Sequence, residues 1–441
     1  MKKIIDFLLV LSFIFTSSAV FAKTQISWWM EARAERDPIV MEKLVNAYNS
    51  SQDEIELVIE FTAQEVLGEK LRTALISGGG PDIVRAAGPS FIKEYQMAGM
   101  LENLDSYADQ YGWNDKIVPW AYNSGVFDGS LYALPLTYES MIMLYNKTLF
   151  AENGWGVPTT LEELENVASK AKAMDMNVYS YGSTGWQPTH EHLVGIYLNN
   201  YAGPENVYKA LIGEKKWTDP VFVEAIELLR KHMVDEGYWS GSLENYYAID
   251  WDQFHDAFSA RNAAMMTIGT WTFQRTEMNF SSIDDDWGWA PLPSLSSNSP
   301  NQNFMLAIGT SIGLNPNSKN KDAAASMLNW LFSNKDVVIN LSNSLEFAEF
   351  NLPLYYEDSD FPTDVNPKIK DFLSTFGKVT GEGNYGYCTW AFWPAEPGVH
   401  IWKDMEVVWA GDISVADYMA DHQKLWDKAR DKGTTLSIPD R

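Results

Sequence analysis

Residues 131–150 read LYALPLTYESMIMLYNKTLF. Apolar side chains run almost to both ends, as in a strand buried on both faces. Thr137, Tyr138, Glu139 and Ser140 interrupt the run at its centre. A carboxylate is not left in an apolar core unless something pairs with it. The stretch therefore reads as a segment crossing between two lobes, with Glu139 turned toward a cleft that holds a ligand.

Working outward, residues 25–29 have strand character, and Asp37 caps a helix with Pro38 in its first turn. Ile55, Leu57, Ile59 and Phe61 alternate as a strand. A helix over residues 64–77 stops at Gly78-Gly79-Gly80-Pro81, and Ile83-Val84 form a short buried strand. This β-α-β-α-β order predicts a largely parallel sheet with helices on both faces. Downstream, Thr160 and Glu163 form a capping box for a helix ending near Met174. Asp219-Pro220 opens a helix that Gly237 ends, and Trp251–Ser259 is a helix leading into a strand over residues 263–268. Residues 292–303 read as a loop, 305–314 as a strand and 319–332 as a helix. The remaining C-terminal segment is helical, with long loops and many aromatics.

A chain of 441 residues predicts two or three domains. The formal charge of −26 repels phosphate backbones and anionic lipid, which argues against nucleic-acid and membrane-surface roles. The 18 Trp residues exceed what a core alone requires and leave material for a stacking surface. Cys388 is the single cysteine, which excludes an intrachain disulfide and a cysteine-based zinc site. At the N-terminus, Lys2-Lys3, an apolar run from Phe7 to Phe15 and the small residues Ser17, Ser18, Ala19 and Ala22 form a secretory signal peptide. Cleavage is expected after Ala22; no cysteine follows to carry a lipid anchor, and the mature chain is expected in the periplasm.

Several motifs fail chemically. Gly78–Asp82 lacks the Gly-Lys-Ser/Thr of a phosphate loop and reads as a helix stop. His190-Glu191-His192 lacks a second His four residues after the first, where Val194 stands, and reads as a polar helix start. Asp284-Asp285-Asp286 lacks the glycine and distal Glu of a calcium loop and reads as a solvated turn. There is no Gly-x-Ser-x-Gly elbow and no cofactor motif. Carboxylate pairs for glycoside hydrolysis stay open, because 59 acidic residues offer many. What survives is a set of polar and aromatic residues where strands end: Glu31, Arg85, Glu139, Trp271 and Thr310. Ligands of doubly wound sheets bind there. Indole faces cover the C–H faces of sugar rings, and carboxylates accept hydrogen bonds from hydroxyls.

The anchors along the chain resemble those of extracellular solute-binding proteins of ABC transporters, the family 1 sugar binders. Glu69-Lys70-Leu71-Arg72-Thr73-Ala74-Leu75-Ile76-Ser77-Gly78 with Pro81-Asp82-Ile83 is similar to an early signature. Gly99-Met100-Leu101-Glu102-Asn103-Leu104 resembles the next. Leu131-Tyr132-Ala133-Leu134-Pro135 with Leu144-Tyr145-Asn146-Lys147 is the most specific, together with Pro158-Thr159-Thr160-Leu161-Glu162-Glu163-Leu164, where Thr160 replaces the usual Trp. Ala263-Ala264-Met265-Met266 with Gly269-Thr270-Trp271, Ser318-Lys319-Asn320-Lys321, and Gly411-Asp412-Ile413-Ser414 resemble later blocks.

The resemblance implies an α/β, two-lobed periplasmic-binding-protein fold with a hinge crossed by strands and a ligand cleft between the lobes. The lobes are expected at residues 23–135 with 305–348, and 136–304 with 349–441. Glu139 matches a family acid that binds sugar hydroxyls and Trp271 a stacking aromatic. Glu31, Arg85 and Thr310 match cleft-lining loop positions. Gly309 stands where some members have a Gly-Gly pair. Trp186, Trp390 and Trp393 are added as further aromatics of the site. The implied function is binding a neutral mono- or oligosaccharide, without catalysis, and delivering it as a monomer to the membrane permease of an ABC importer. A secreted carbohydrate-active enzyme and the same fold holding a polyamine or phosphodiester stay open.

Overall fold

The computed structural model describes residues 23–33, 36–185, 189–343 and 350–439. The signal peptide and Trp186 lie outside the described residues. Strand β1 is Thr24–Glu31, β2 Ile55–Thr62 and β3 Ile83–Ala86. A small hairpin joins β4, Val126–Phe127, to β5, Ser130–Leu131. The opening stretch contains β6, Leu134–Asn146. There follow β7 Asn177–Tyr179, β8 Ala263–Gly269, β9 Trp287–Ala290, β10 Phe304–Leu314 and β11 Tyr385–Tyr387.

The main sheet runs β2-β1-β3-β10-β6-β8-β7, with β11 beside β10 and β9 beside β6. Its first three strands are parallel, as the β-α-β-α-β order predicts. Beyond them the sheet is mixed: β7 is parallel to β8 and β11 to β10, but the pairings around the crossing strands are not. β10 is antiparallel to β3 and to β6, and β6 is antiparallel to β8 and β9. The physical reason is β6 itself. Thirteen residues of strand span roughly 40 Å, long enough to belong to two halves of the molecule. Its first part, to Met141, pairs with β10, and its second part, from Met141, pairs with β8 and β9. The result is a two-lobed α/β molecule in which β6 and β10 cross the junction.

Local signals set most of the helices. Gln64–Ile76 ends at Ser77, and Gly78 follows at φ +77, where glycine alone is unstrained. Trp251–Ser259 has a full capping box from Asp250 and Gln253. Two cap expectations are corrected. Asp37 is the first helical residue, and its carboxylate accepts the N–H of Arg33 at 3.0 Å instead of capping the turn. Thr160 does cap Leu161–Ala173, but Glu163 bonds the backbone and hydroxyl of Thr159, so the box is displaced by one residue. The acidic run is a solvated turn only in part. Asp284 is exposed in a bend, but Asp285 receives Arg261 and Asn146, while Asp286 pairs with Lys147 and Lys368, so the run also ties remote segments together.

Candidate functional site

β6 is buried over nearly its whole length, and Glu139 is only 7% exposed. It faces β10 at a bulge. The register passes from Ile308 opposite Tyr138 to Thr310 opposite Thr137, leaving Gly309 unpaired. A Cβ at Gly309 would lie 2.2 Å from Glu139 Oε1. The missing side chain is the space the carboxylate occupies, so the bulge and the acid form one device. Behind them sits the buried Cys388, whose thiol donates to Met305 O at 2.9 Å. Burial, reinforced by the Glu139 charge, raises the thiol far above its ordinary range.

On the other side of β10, Glu31 ends β1 and Arg85 lies near the end of β3. These adjacent parallel strands bring them together. Arg85 Nη1 donates to Glu31 Oε1 at 2.8 Å and Nη2 to Thr310 Oγ1 at 3.2 Å. Both side chains of the ion pair are largely buried. The pair is therefore held rigidly and presents fixed hydrogen-bonding atoms.

Trp271 follows β8 in a single tight turn, Thr270–Thr272. The Thr270 hydroxyl accepts the N–H of Ser140 at 3.3 Å, which docks the turn on β6. The indole folds back over Gly269, where a Cβ would lie 1.9 Å from Cζ3. The Gly-x-Trp spacing thus has a steric cause. Trp390, on the short helix Thr389–Phe392, meets Trp271 edge-on with centroids 5.7 Å apart. His192 packs against both rings, at 5.4 Å from Trp271 and 4.9 Å from Trp390. Both indoles remain partly exposed.

His192 belongs to the helix Thr189–Tyr197, all of whose residues are buried. The segment is a helix start, as expected, and a buried one. His192 Nδ1 lies 2.5 Å from the Tyr181 hydroxyl. Burial, with a smaller push from His190, takes the imidazole down to about 3, so it is neutral. Burial takes the Glu191 carboxyl up to about 8, against a weaker opposing effect of Thr389. Glu191 therefore stays protonated at neutral pH. Sequence reasoning missed Tyr181 and gave Glu191 and His192 no role at the site. The available signal was that the residues after His192 in their helix, Leu193–Tyr197, carry no charge.

The structure thus forms three adjoining groups: Glu31, Arg85 and Thr310; Glu139 with Gly309; and Trp271 with Trp390. It does not bring Trp393 to them. Trp393 is 2% exposed and packs against Trp217 and Trp426, with its Nε1 donating to His422 Nε2 at 3.3 Å. The expectation for Trp393 is corrected on that ground: its ring is core. Among the described residues no cluster of three or more His, Cys, Asp or Glu side chains has a metal-binding arrangement. No described helix is long and apolar enough to cross a membrane.

The chain and its fold are similar to those of known proteins. The model of the bacterial extracellular solute-binding protein family matches residues 34–338. A maltotriose-binding protein of Pyrococcus abyssi is 26% identical over 323 residues, covering 70% of this chain and 62% of that protein. A multiple sugar-binding protein of Streptococcus mutans is 23% identical over 247 residues, covering 52% of this chain and 54% of that protein. The matched region thus spans little more than half the length of these relatives. Among solved structures, the sugar-binding protein MalE of Xanthomonas citri superposes with a TM-score of 0.70 at 17% identity, covering 93% of this chain and 98% of that one. The chain belongs to the bacterial extracellular solute-binding protein family.

Proposed function

We propose that this protein is an exported carbohydrate carrier that hands its ligand to the permease of an ABC importer. The observation that carries the reading is the pair of partly exposed indoles, Trp271 and Trp390, next to a buried acid held on the crossing strands. The Trp271–Trp390 pair offers an indole face to the apolar face of a ring, and Glu139 with the Arg85–Glu31 pair fixes its hydroxyls. The names of the relatives, maltotriose-binding and multiple sugar-binding, point the same way. The lobes are residues 23–135 with 305–348, and 136–304 with 349–441, acting in one monomer. Export follows cleavage after Ala22, and the sugar leaves chemically intact.

A micromolar affinity needs about −8 kcal/mol, while one stacked ring adds ~0.5–1.5 kcal/mol beyond its burial. Several contacts and closure of the lobes must therefore act together. The test is a thermal-shift screen of the mature protein over neutral sugars, uronates and polyamines, followed by calorimetry and small-angle scattering. A neutral sugar is expected to raise the melting point and shrink the particle. A polyamine or uronate as the only stabilising ligand overturns the sugar reading. Release of reducing ends from oligosaccharides overturns the carrier reading in favour of an enzyme.

A further inference from the structure

Trp271 and Trp390 come from segments remote in sequence, and each remains partly exposed. Edge-on contact between two such rings is weak beside the rotamer freedom it would have to restrain. A third ring supplies the restraint. The centroid of His192 lies 5.4 Å from that of Trp271 and 4.9 Å from that of Trp390, and its plane is inclined to theirs by 58° and 61°. With the 5.7 Å between the indoles, the three rings form a closed triangle. His192 is buried, on a helix buried throughout, so the imidazole is a rigid wedge behind the two indoles.

Tyr181, two residues beyond β7, holds that wedge from behind. It is fully buried, and its ring stands on edge against Phe254 at 5.1 Å. Ser240 Oγ accepts its N–H at 3.3 Å and donates to its C=O at 2.5 Å, which clamps its backbone. Its hydroxyl lies 2.5 Å from His192 Nδ1. Among the described residues that hydroxyl meets no other acceptor, and a buried donor left without one is costly. The hydroxyl therefore donates to Nδ1, and the neutral imidazole carries its proton on Nε2. An imidazole can turn over about its last torsion and fill much the same space. The bond from Tyr181 selects one orientation. A phenyl ring would fill the wedge with no polar atom to satisfy; what the imidazole adds is this fixed orientation.

We infer that Tyr181 and His192 are positioning residues of the binding site: the Tyr181 hydroxyl locks the imidazole, and the imidazole sets the angle at which the indole pair is presented to a sugar ring. The inference rests on the carbohydrate-carrier reading. It gives a role at the site to two buried residues that act through Trp271 and Trp390.

The test combines spectroscopy without sugar and calorimetry with it. A ¹⁵N spectrum of the histidine-labelled mature protein at pH 7, with His192 assigned by substitution, should show a bare Nδ1 and a protonated Nε2. The indole N–H signals of Trp271 and Trp390, assigned by Trp271→Phe and Trp390→Phe, should shift or broaden in Tyr181→Phe, which removes a single oxygen. Calorimetry uses glucose, galactose, xylose, maltose and maltotriose. For whichever of them binds the wild type, Tyr181→Phe should weaken affinity at least threefold and His192→Ala at least tenfold, with thermal melts as the folding control. A merely structural role predicts a lower melting point with indole signals and affinity unchanged. A protonated Nδ1 in the wild type, unmoved indole signals in folded Tyr181→Phe, or wild-type affinity in either folded variant overturns the inference and leaves the carrier reading standing. If none of the five sugars binds the wild type, the carrier reading fails, and the ¹⁵N and indole signals alone decide whether the pair positions the rings.

Discussion

Replacing Gly269 by alanine tests the origin of the Trp271 position. The added methyl would lie 1.9 Å from Cζ3, 2.1 Å from Cη2 and 2.2 Å from Cε3 of the indole. Ordinary carbon–carbon contact begins near 3.5 Å, so the ring must retreat by roughly 1.5 Å or more. It cannot do so in place, because His192 and Trp390 already pack against it. The backbone imposes no penalty of its own, since Gly269 has φ −86 and ψ 160, an extended conformation open to alanine. The fold should therefore survive, with a loss of about 1–3 kcal/mol from crowding the buried turn. Sugar affinity should not. The lost stack is worth ~0.5–1.5 kcal/mol beyond burial. Uncovering about 50–100 Å² of apolar area removes a further ~1–2 kcal/mol. Together these correspond to at least a tenfold loss. Trp271→Ala should produce the same loss, and the double substitution no further loss, because both act through one ring. Calorimetry of the three variants, with urea melts as the folding control, decides the matter. Wild-type affinity in Gly269→Ala, or losses that add in the double variant, would refute the steric argument.

Gly309→Ala should displace the Glu139 carboxylate, the flexible partner in that clash, and weaken binding at least tenfold while the melting temperature changes little; unchanged affinity would remove Glu139 from the site. Asn199→Ala should cost on the order of 3 kcal/mol of stability in urea melts. Asn199 donates to the C=O of Tyr387 and accepts its N–H, at 2.9 Å each, and its loss removes both buried bonds. Stability should peak near pH 6.5. His190, His192, His232 and His255 are held neutral by burial, at about 4, 3, 4 and 4, so their contribution is lost as pH falls from the unfolded value through those values. Glu191 is shifted the opposite way. Its contribution is complete below the unfolded carboxylate value and is lost as pH rises toward 8. Glu191→Gln should therefore flatten the decline in melting temperature between pH 6.5 and 8, and an unchanged slope would show that Glu191 is not protonated in the folded protein.

Much of the site was legible because its signals are local. The polar interruption at Glu139 marks a crossing strand whatever surrounds it. Glu31 and Arg85 sit near the ends of strands that alternation and flanking turns already identify. Trp271 is announced by the glycine two residues before it. The His190-Glu191-His192 segment was legible as a helix start but not as a buried one, because its polarity says nothing of the aromatic rings that bury it. Those rings come from Tyr246, Trp271, Trp390 and Trp409, which lie from about 50 to more than 200 residues away.

The sequence by itself determined most of the elements, the crossing strand and the family resemblance. These depend on periodicity, glycine and proline placement, and spacing, all of which act within a few residues. Only the tertiary structure decided the sheet's mixed polarity, the insertion of Glu139 into the space left by Gly309, and the opposite fates of Trp390 and Trp393. Those two indoles stand three residues apart, yet one meets Trp271 at the site and the other is sealed by Trp217, His422 and Trp426. Burial is set by whichever distant surfaces arrive, and no local pattern encodes that arrival.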